Sequence, residues 1–126
     1  MKYDEFIGQV QHRAQLPEEG DATYAARATL MTLGERLAGN EPLDAASRLP
    51  DVLKEFLTDG REAGEGIRFS LEDFYRKVAN REGTDIETAR RHAIVVMSVL
   101  REALTPGEWE DICAQLPDEY NELMNC

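Results

Sequence analysis

The stretch Leu33–Asp51, LGERLAGNEPLDAASRLPD, returns 67 residues later as Leu100–Asp118, LREALTPGEWEDICAQLPD. Leu33, Glu35, Leu37, Glu41, Asp44, Leu49, Pro50 and Asp51 meet identical residues at Leu100, Glu102, Leu104, Glu108, Asp111, Leu116, Pro117 and Asp118. So many identities in one window mark an internal repeat, the signature of one helical unit written twice. At an offset of 68 the match extends upstream, with Asp4-Glu5-Phe6 on Glu72-Asp73-Phe74 and Val10 on Val78. The change of offset places a one-residue deletion near Thr84. This organisation predicts a single domain over residues 1–126, with a first unit at about 3–57, a linker at about 58–68 and a second unit at about 69–124.

Each unit reads as four helices, two long and two short. Phe6, Ile7, Val10 and Ala14 gather on one helical face, as do Leu71, Phe74, Tyr75 and Val78 in the second unit. Ala26, Leu30, Leu33 and Leu37 step by four, three and four, matched by Ala93, Met97, Leu100 and Leu104. A short third helix is expected to bury Leu43, Ala46 and Leu49, or Trp109, Ile112, Cys113 and Leu116. A fourth carries Val52, Leu53 and Phe56, or Tyr120, Leu123 and Met124. Side-chain oxygens before helix starts accept from the unpaired first-turn N–H groups, and Ser70 with Asp73, Thr84 with Glu87, and Thr105-Pro106-Gly107-Glu108 have that spacing. Pro17, Pro50 and Pro117 suit helix openings. The fold class predicted is all-α: two pseudo-symmetric four-helix repeats packed into one compact helical domain.

The β-branched Ile94, Val95, Val96 and Val99 would also suit a buried strand. The periodic pattern, however, runs from Ala89 to Leu104, too long for an ordinary strand. In a helix, Ile94 to Met97 surround the whole circumference at about 100° per residue, so this helix is expected to be buried on more than one side. Its counterpart, Arg27-Ala28-Thr29-Leu30, lacks the extra apolar face. Thr58–Gly66, with three glycines and alternating charge, reads as a flexible connector. It follows no strand and lacks the Gly-Lys-Ser/Thr ending of a phosphate loop.

With 14 basic and 25 acidic residues the net charge is −11. Such a chain repels nucleic-acid phosphates and anionic lipid, so direct nucleic-acid binding is not expected and basic partners are the electrostatically permitted ones. The longest apolar run, Ala93 to Met97, is far short of a membrane span. The start Met1-Lys2-Tyr3-Asp4-Glu5-Phe6 lacks the basic-then-apolar order of a secretory signal, and a cytoplasmic location is expected. Cys113 and Cys126 allow at most one bridge, which is no disulfide framework.

The repeated Leu-Pro-Asp at Leu49-Pro50-Asp51 and Leu116-Pro117-Asp118, with Phe69-Ser70-Leu71-Glu72-Asp73-Phe74 and Val99-Leu100-Arg101-Glu102-Ala103-Leu104, resembles the domain of unknown function 2267 family of small bacterial two-repeat helical proteins. The resemblance covers nearly the whole chain. It implies a two-repeat helical fold and no catalytic residues. The chain departs at Phe56-Leu57-Thr58-Asp59-Gly60, where family members often carry an aromatic patch like Tyr-Tyr-Glu-Gly-Trp.

The residues themselves offer no converging chemistry. His12 and His92 do not recur between units, the serines Ser47, Ser70 and Ser98 lack a Gly-x-Ser-x-Gly elbow, and Glu18-Glu19 and Glu110-Asp111 read as solvated charges. No catalytic residue, metal ligand or cofactor site is assigned, and neither cysteine neighbours another potential zinc ligand. Charge is uneven along the second unit: +3 from Arg76 to Arg101, then −7 with no Lys or Arg beyond. Folding either cancels this field internally or leaves an acidic face that selects a basic partner. The favoured reading is a non-enzymatic helical interaction module, binding a protein partner or itself through Ile94, Val95, Val96 and Met97 with Glu108, Glu110 and Asp111. One alternative is a ligand-binding or catalytic pocket between the units near Phe69, Tyr75 and Tyr24. The other is an acidic nucleic-acid mimic that inhibits a basic protein.

Overall fold

Every regular element among the described residues of the computed structural model, 1–39, 47–59 and 66–126, is helical. In chain order these are α1 (Tyr3–Arg13), α2 (Glu19–Arg36), α3 (Asp51–Thr58), α4 (Leu71–Glu82), α5 (Ile86–Ala103), α6 (Pro106–Cys113), a 3₁₀ turn (Asp118–Tyr120) and α7 (Asn121–Met124). The all-α fold class holds. The expected helix over Leu43 and Ala46, with Glu41 and Asp44, lies outside the described residues, as does residues 60–65 of the linker.

The periodic apolar faces form one core. Phe6, Ile7 and Val10 of α1, Leu30, Leu33 and Leu37 on and after α2, Phe74 and Val78 of α4, and Met97 and Leu100 of α5 are all buried in the same cluster. Leu53 and Leu57 of α3, Trp109 and Ile112 of α6, and Tyr120, Leu123 and Met124 close it. Val52 stays exposed, and Phe56 packs edge-on to Tyr3 with ring centroids 6.4 Å apart.

α5 touches α1, α2, α4 and α7, so it is covered on several sides as its sequence predicts. The helix that carries Arg27 to Leu30 is enclosed as well. α2 touches α1, α3, α4 and α5, and Ala28, Thr29 and Leu30 are all buried although no broad apolar face is written there. Small side chains achieve this: Ala22, Ala25, Ala26 and Ala28 let neighbouring helices come close, and Gly34 lets α3 come closer still. A Cβ built on Gly34 would stand 1.7 Å from the Leu57 carbonyl oxygen, so only hydrogen fits between the end of α3 and α2.

Two of the three expected caps stand where the spacing puts them. Ser70 Oγ accepts from Asp73 N at 3.1 Å, and Thr105 and Glu108 form a reciprocal capping box at the start of α6. The third is corrected by one residue. α4 ends on Gly83 in the left-handed region (φ 79°), with the Gly83 and Thr84 N–H groups both donating to Ala79 O. Thr84 thereby belongs to the end of α4, and Asp85 caps α5, accepting from Thr88 N at 2.7 Å.

The N-terminal and C-terminal parts meet along α2 and α4. Arg81 of α4 reaches α2, pairing with Glu35 at 2.5 Å and donating to Thr32 Oγ1 at 2.9 Å. Phe74 and Tyr120 pack edge-on at 5.9 Å, the Arg36 guanidinium lies over both Phe69 and Tyr120, and Tyr120 Oη donates to Phe69 O at 2.7 Å. Beyond them Gln115 grips the chain just after α2: its Oε1 accepts from Ala38 N at 2.8 Å and its Nε2 donates to Ala38 O at 3.3 Å.

Candidate functional site

The Asp85 cap starts α5 so that Ala89, Ala93, Val96, Met97 and Leu100 face inward. Of the four residues assigned to an interaction surface, Val96 and Met97 therefore belong to the core. Ile94 and Val95 are only half-buried and keep an outward edge.

Three hollows lie end to end along this edge. The first, about 530 Å³, is lined by Glu87, Thr88, Arg90, Arg91, Ile94 and Val95 of α5. The second, about 600 Å³, runs between Ile94, Ser98, Arg101 and Glu102 of α5 and the residues from Asn121 to Asn125. The third, about 320 Å³, is walled by Arg101, Leu104, Pro106, Trp109, Glu110, Cys113 and Cys126. Ile94 is shared by the first and second and Arg101 by the second and third, so the three hollows, each separate from the next, follow one track along α5.

Charge along the track is partly neutralised and partly free. Glu122 accepts from Arg90 Nε at 2.6 Å and from Tyr75 Oη at 3.0 Å, and burial with that carboxylate pushes the Tyr75 phenol up. Glu119 accepts from Leu71 N at 3.0 Å. Arg13 of α1 pairs with Glu102, holding that carboxyl below its usual range. Asp85 is held low in the same way by the N–H and hydroxyl of Thr88. Of the three acidic residues assigned to the surface, Glu108 is occupied in the α6 capping box. Glu110 and Asp111 are exposed, and no ion pair among the described residues involves them. Folding thus cancels part of the acidic tail and leaves a smaller acidic patch on α6.

The junction near Phe69 and Tyr75 is filled by Phe74, Tyr120 and the Arg36 side chain, while Tyr24 stands 65% exposed on α2. His12 is exposed. His92 is buried, its Nδ1 against Glu82 at the end of α4, a pair that the sequence reading missed. Helix boundaries flanking Gly83 would have signalled it, because they set the end of α4 beside the second turn of α5. Cys113 and Cys126 form a disulfide with Cα atoms 6.0 Å apart. Among the described residues no three His, Cys, Asp or Glu side chains gather as a metal site, and no helix is long and apolar enough to cross a membrane.

A protein-family model described as an uncharacterized conserved protein, DUF2267, matches residues 3–123. No curated protein matches the chain.

Proposed function

The chain belongs to the DUF2267 family, and on that premise we propose that it is a non-enzymatic interaction module, one domain of two tandem units, which holds a protein partner along the outer edge of α5. The observation that carries this reading is the track of three neighbouring hollows sharing Ile94 and Arg101. Its near end sets the half-buried Ile94 and Val95 beside Arg90 and Arg91, its middle adds Leu123 and Met124 beside Arg101 and Glu102, and its far end carries Glu110. An apolar centre with charges of both signs around it is the composition of a protein-binding patch. The tandem-unit reading is supported by paired element lengths: α1 and α4 have 11 and 12 residues, and α2 and α5 have 18 each. The filled aromatic junction favours this surface over a pocket between the units.

A photo-reactive side chain at Val95, introduced in the native host, is expected to cross-link to one partner. The substitution Ile94→Glu should abolish that cross-link while leaving helix content and unfolding midpoint nearly unchanged. Sedimentation at two concentrations distinguishes a second copy of the chain from another protein. A protein that sediments only as a 14.2 kDa monomer and yields no adduct from Val95 overturns the reading.

A further inference from the structure

The two cysteines are the chain's complete set, and the structure joins them. Cys113 is the last residue of α6 and half-buried; Cys126 is exposed and follows α7 by two residues. Two features bring Cys126 back onto α6. Asn125 adopts a left-handed backbone (φ 54°), which reverses the chain after Met124. Arg101 Nη1 donates to Asn125 O at 2.8 Å and holds the reversal in place.

The bond is also placed where a reagent can reach it. Both sulfur-bearing residues line the 320 Å³ hollow, together with the Arg101 guanidinium, the Glu110 carboxylate and the apolar Leu104, Pro106 and Trp109. The tail is what separates this hollow from its neighbour, since Asn125 lines the 600 Å³ hollow and Cys126 the 320 Å³ one. α6 is otherwise held by Trp109 and Ile112, by the Arg101 guanidinium over the Trp109 ring, and by the Gln115–Ala38 hydrogen bonds just beyond it. The chain's core does not run through the disulfide: Tyr120, Leu123 and Met124 stay buried through apolar contacts of their own.

We propose that Cys113–Cys126 is a thiol–disulfide exchange site, a clasp that a dithiol reductant opens and an oxidant of the same class closes. A thiolate of the dithiol attacks Sγ of the exposed residue Cys126, forming a mixed disulfide and expelling Cys113 as a thiolate into the hollow. The second thiol of the reagent, deprotonated, then attacks its own sulfur in the mixed disulfide and expels Cys126 as a thiolate. Two electrons pass to the protein, both cysteines take up protons as their acidity dictates, and the reagent leaves as a cyclic disulfide. Opening frees Asn125 and Cys126 from α6, and the two hollows that share Arg101 become one trough. The bridge can open without uncovering the core, because Tyr120, Leu123 and Met124 are buried independently of it.

The test uses the full chain in native buffer, with dithiothreitol as the dithiol. Alkylation and intact mass are expected to show no free thiol before treatment and two after it, with far-UV circular dichroism unchanged. Trp109, the single tryptophan, sits one helical turn before Cys113 and is expected to brighten as the neighbouring disulfide quencher is lost. Amide exchange in residues 106–113 and 121–126 should speed by roughly tenfold or more, the order expected on removing a short loop closure. Cys126→Ser, altered at an exposed position, should show the open behaviour without reductant, and Cys113→Ser should match it. Two free thiols in air-oxidised protein, a bond that yields only after denaturant unfolds the chain, or a reduced form with unchanged exchange in these segments would each overturn the proposal.

Discussion

α2 and α5 have equal lengths and aligned sequence positions, yet they reach the centre of the molecule by opposite means. α5 carries the branched, strongly apolar run from Ile94 to Met97 and still leaves two of those residues at the surface. α2 has the weaker apolar pattern and is the more thoroughly enclosed, with Ala22, Ala25, Ala26, Ala28 and Gly34 all buried. Burial is a matter of approach distance as well as grease: small side chains let four neighbouring helices close on α2. The two helices also begin differently. Asp85 caps α5, whereas Glu18 at the head of α2 makes no side-chain cap bond.

The largest effect that would break this contrast belongs to Gly34. Gly34→Ala puts a methyl into the Leu57 carbonyl and is expected to cost about 3 kcal/mol or more in urea unfolding, because backbone must move on one side. The position 67 residues later in the sequence is Arg101, whose replacement by Ala should cost only about 1 kcal/mol, one hydrogen bond and an exposed stacking contact. Equal costs at the two positions would dissolve the distinction between close approach and surface bracing.

The division within α5 can be sharpened next. Met97→Ala empties a fully buried site and is expected to cost about 2–5 kcal/mol, against less than about 1 kcal/mol for Ile94→Ala at the surface. Within α2, Thr29 Oγ1 is buried with no hydrogen-bond partner. Thr29→Val keeps the shape and removes that orphaned group, so it is expected to stabilise by about 1 kcal/mol, read as a raised denaturant midpoint. A loss would mean that the hydroxyl is satisfied by water and that the α2 seam is less dry than its burial indicates.

The smallest effect separates the helix starts by pH. Asp85 has its folded pKa depressed by the Thr88 bonds, so its stabilisation is present above the unfolded carboxyl value and is lost as pH falls through the folded one. Exchange in the first turn of α5 should accelerate below about pH 4 more than exchange at the head of α2. Asp85→Asn, which caps without titrating, should remove that difference.

These contrasts mark what the sequence discloses. Large apolar residues at helical spacing announce α1, α4 and the inward face of α5, because a wide greasy stripe has only one place to go. Ser70 and Thr105 announce their helix starts, because a cap is local chemistry. The depth of α2 was hidden, since alanine, threonine and glycine signal neither core nor surface by themselves and only the partner helix gives them meaning. Thr84 and Asp85 are both competent caps, and the choice fell to the left-handed Gly83, which commits Thr84 to the helix before. Of the proposed surface, Ile94 and Val95 were legible as surplus apolar area. Which of the four residues in that run faces out was not, because it depends on α1, α2, α4 and α7 arriving from distant parts of the chain.

Gln115 holds both polar groups of Ala38 at once, one as donor and one as acceptor. Only a carboxamide of that reach can do so. A carboxylate keeps the acceptor, forfeits the donor and brings its charge against the Ala38 carbonyl, while asparagine falls one methylene short. Hydrolysis of this single amide would therefore act as a slow ageing lesion, loosening the seam between the two ends of the chain with no change in the core.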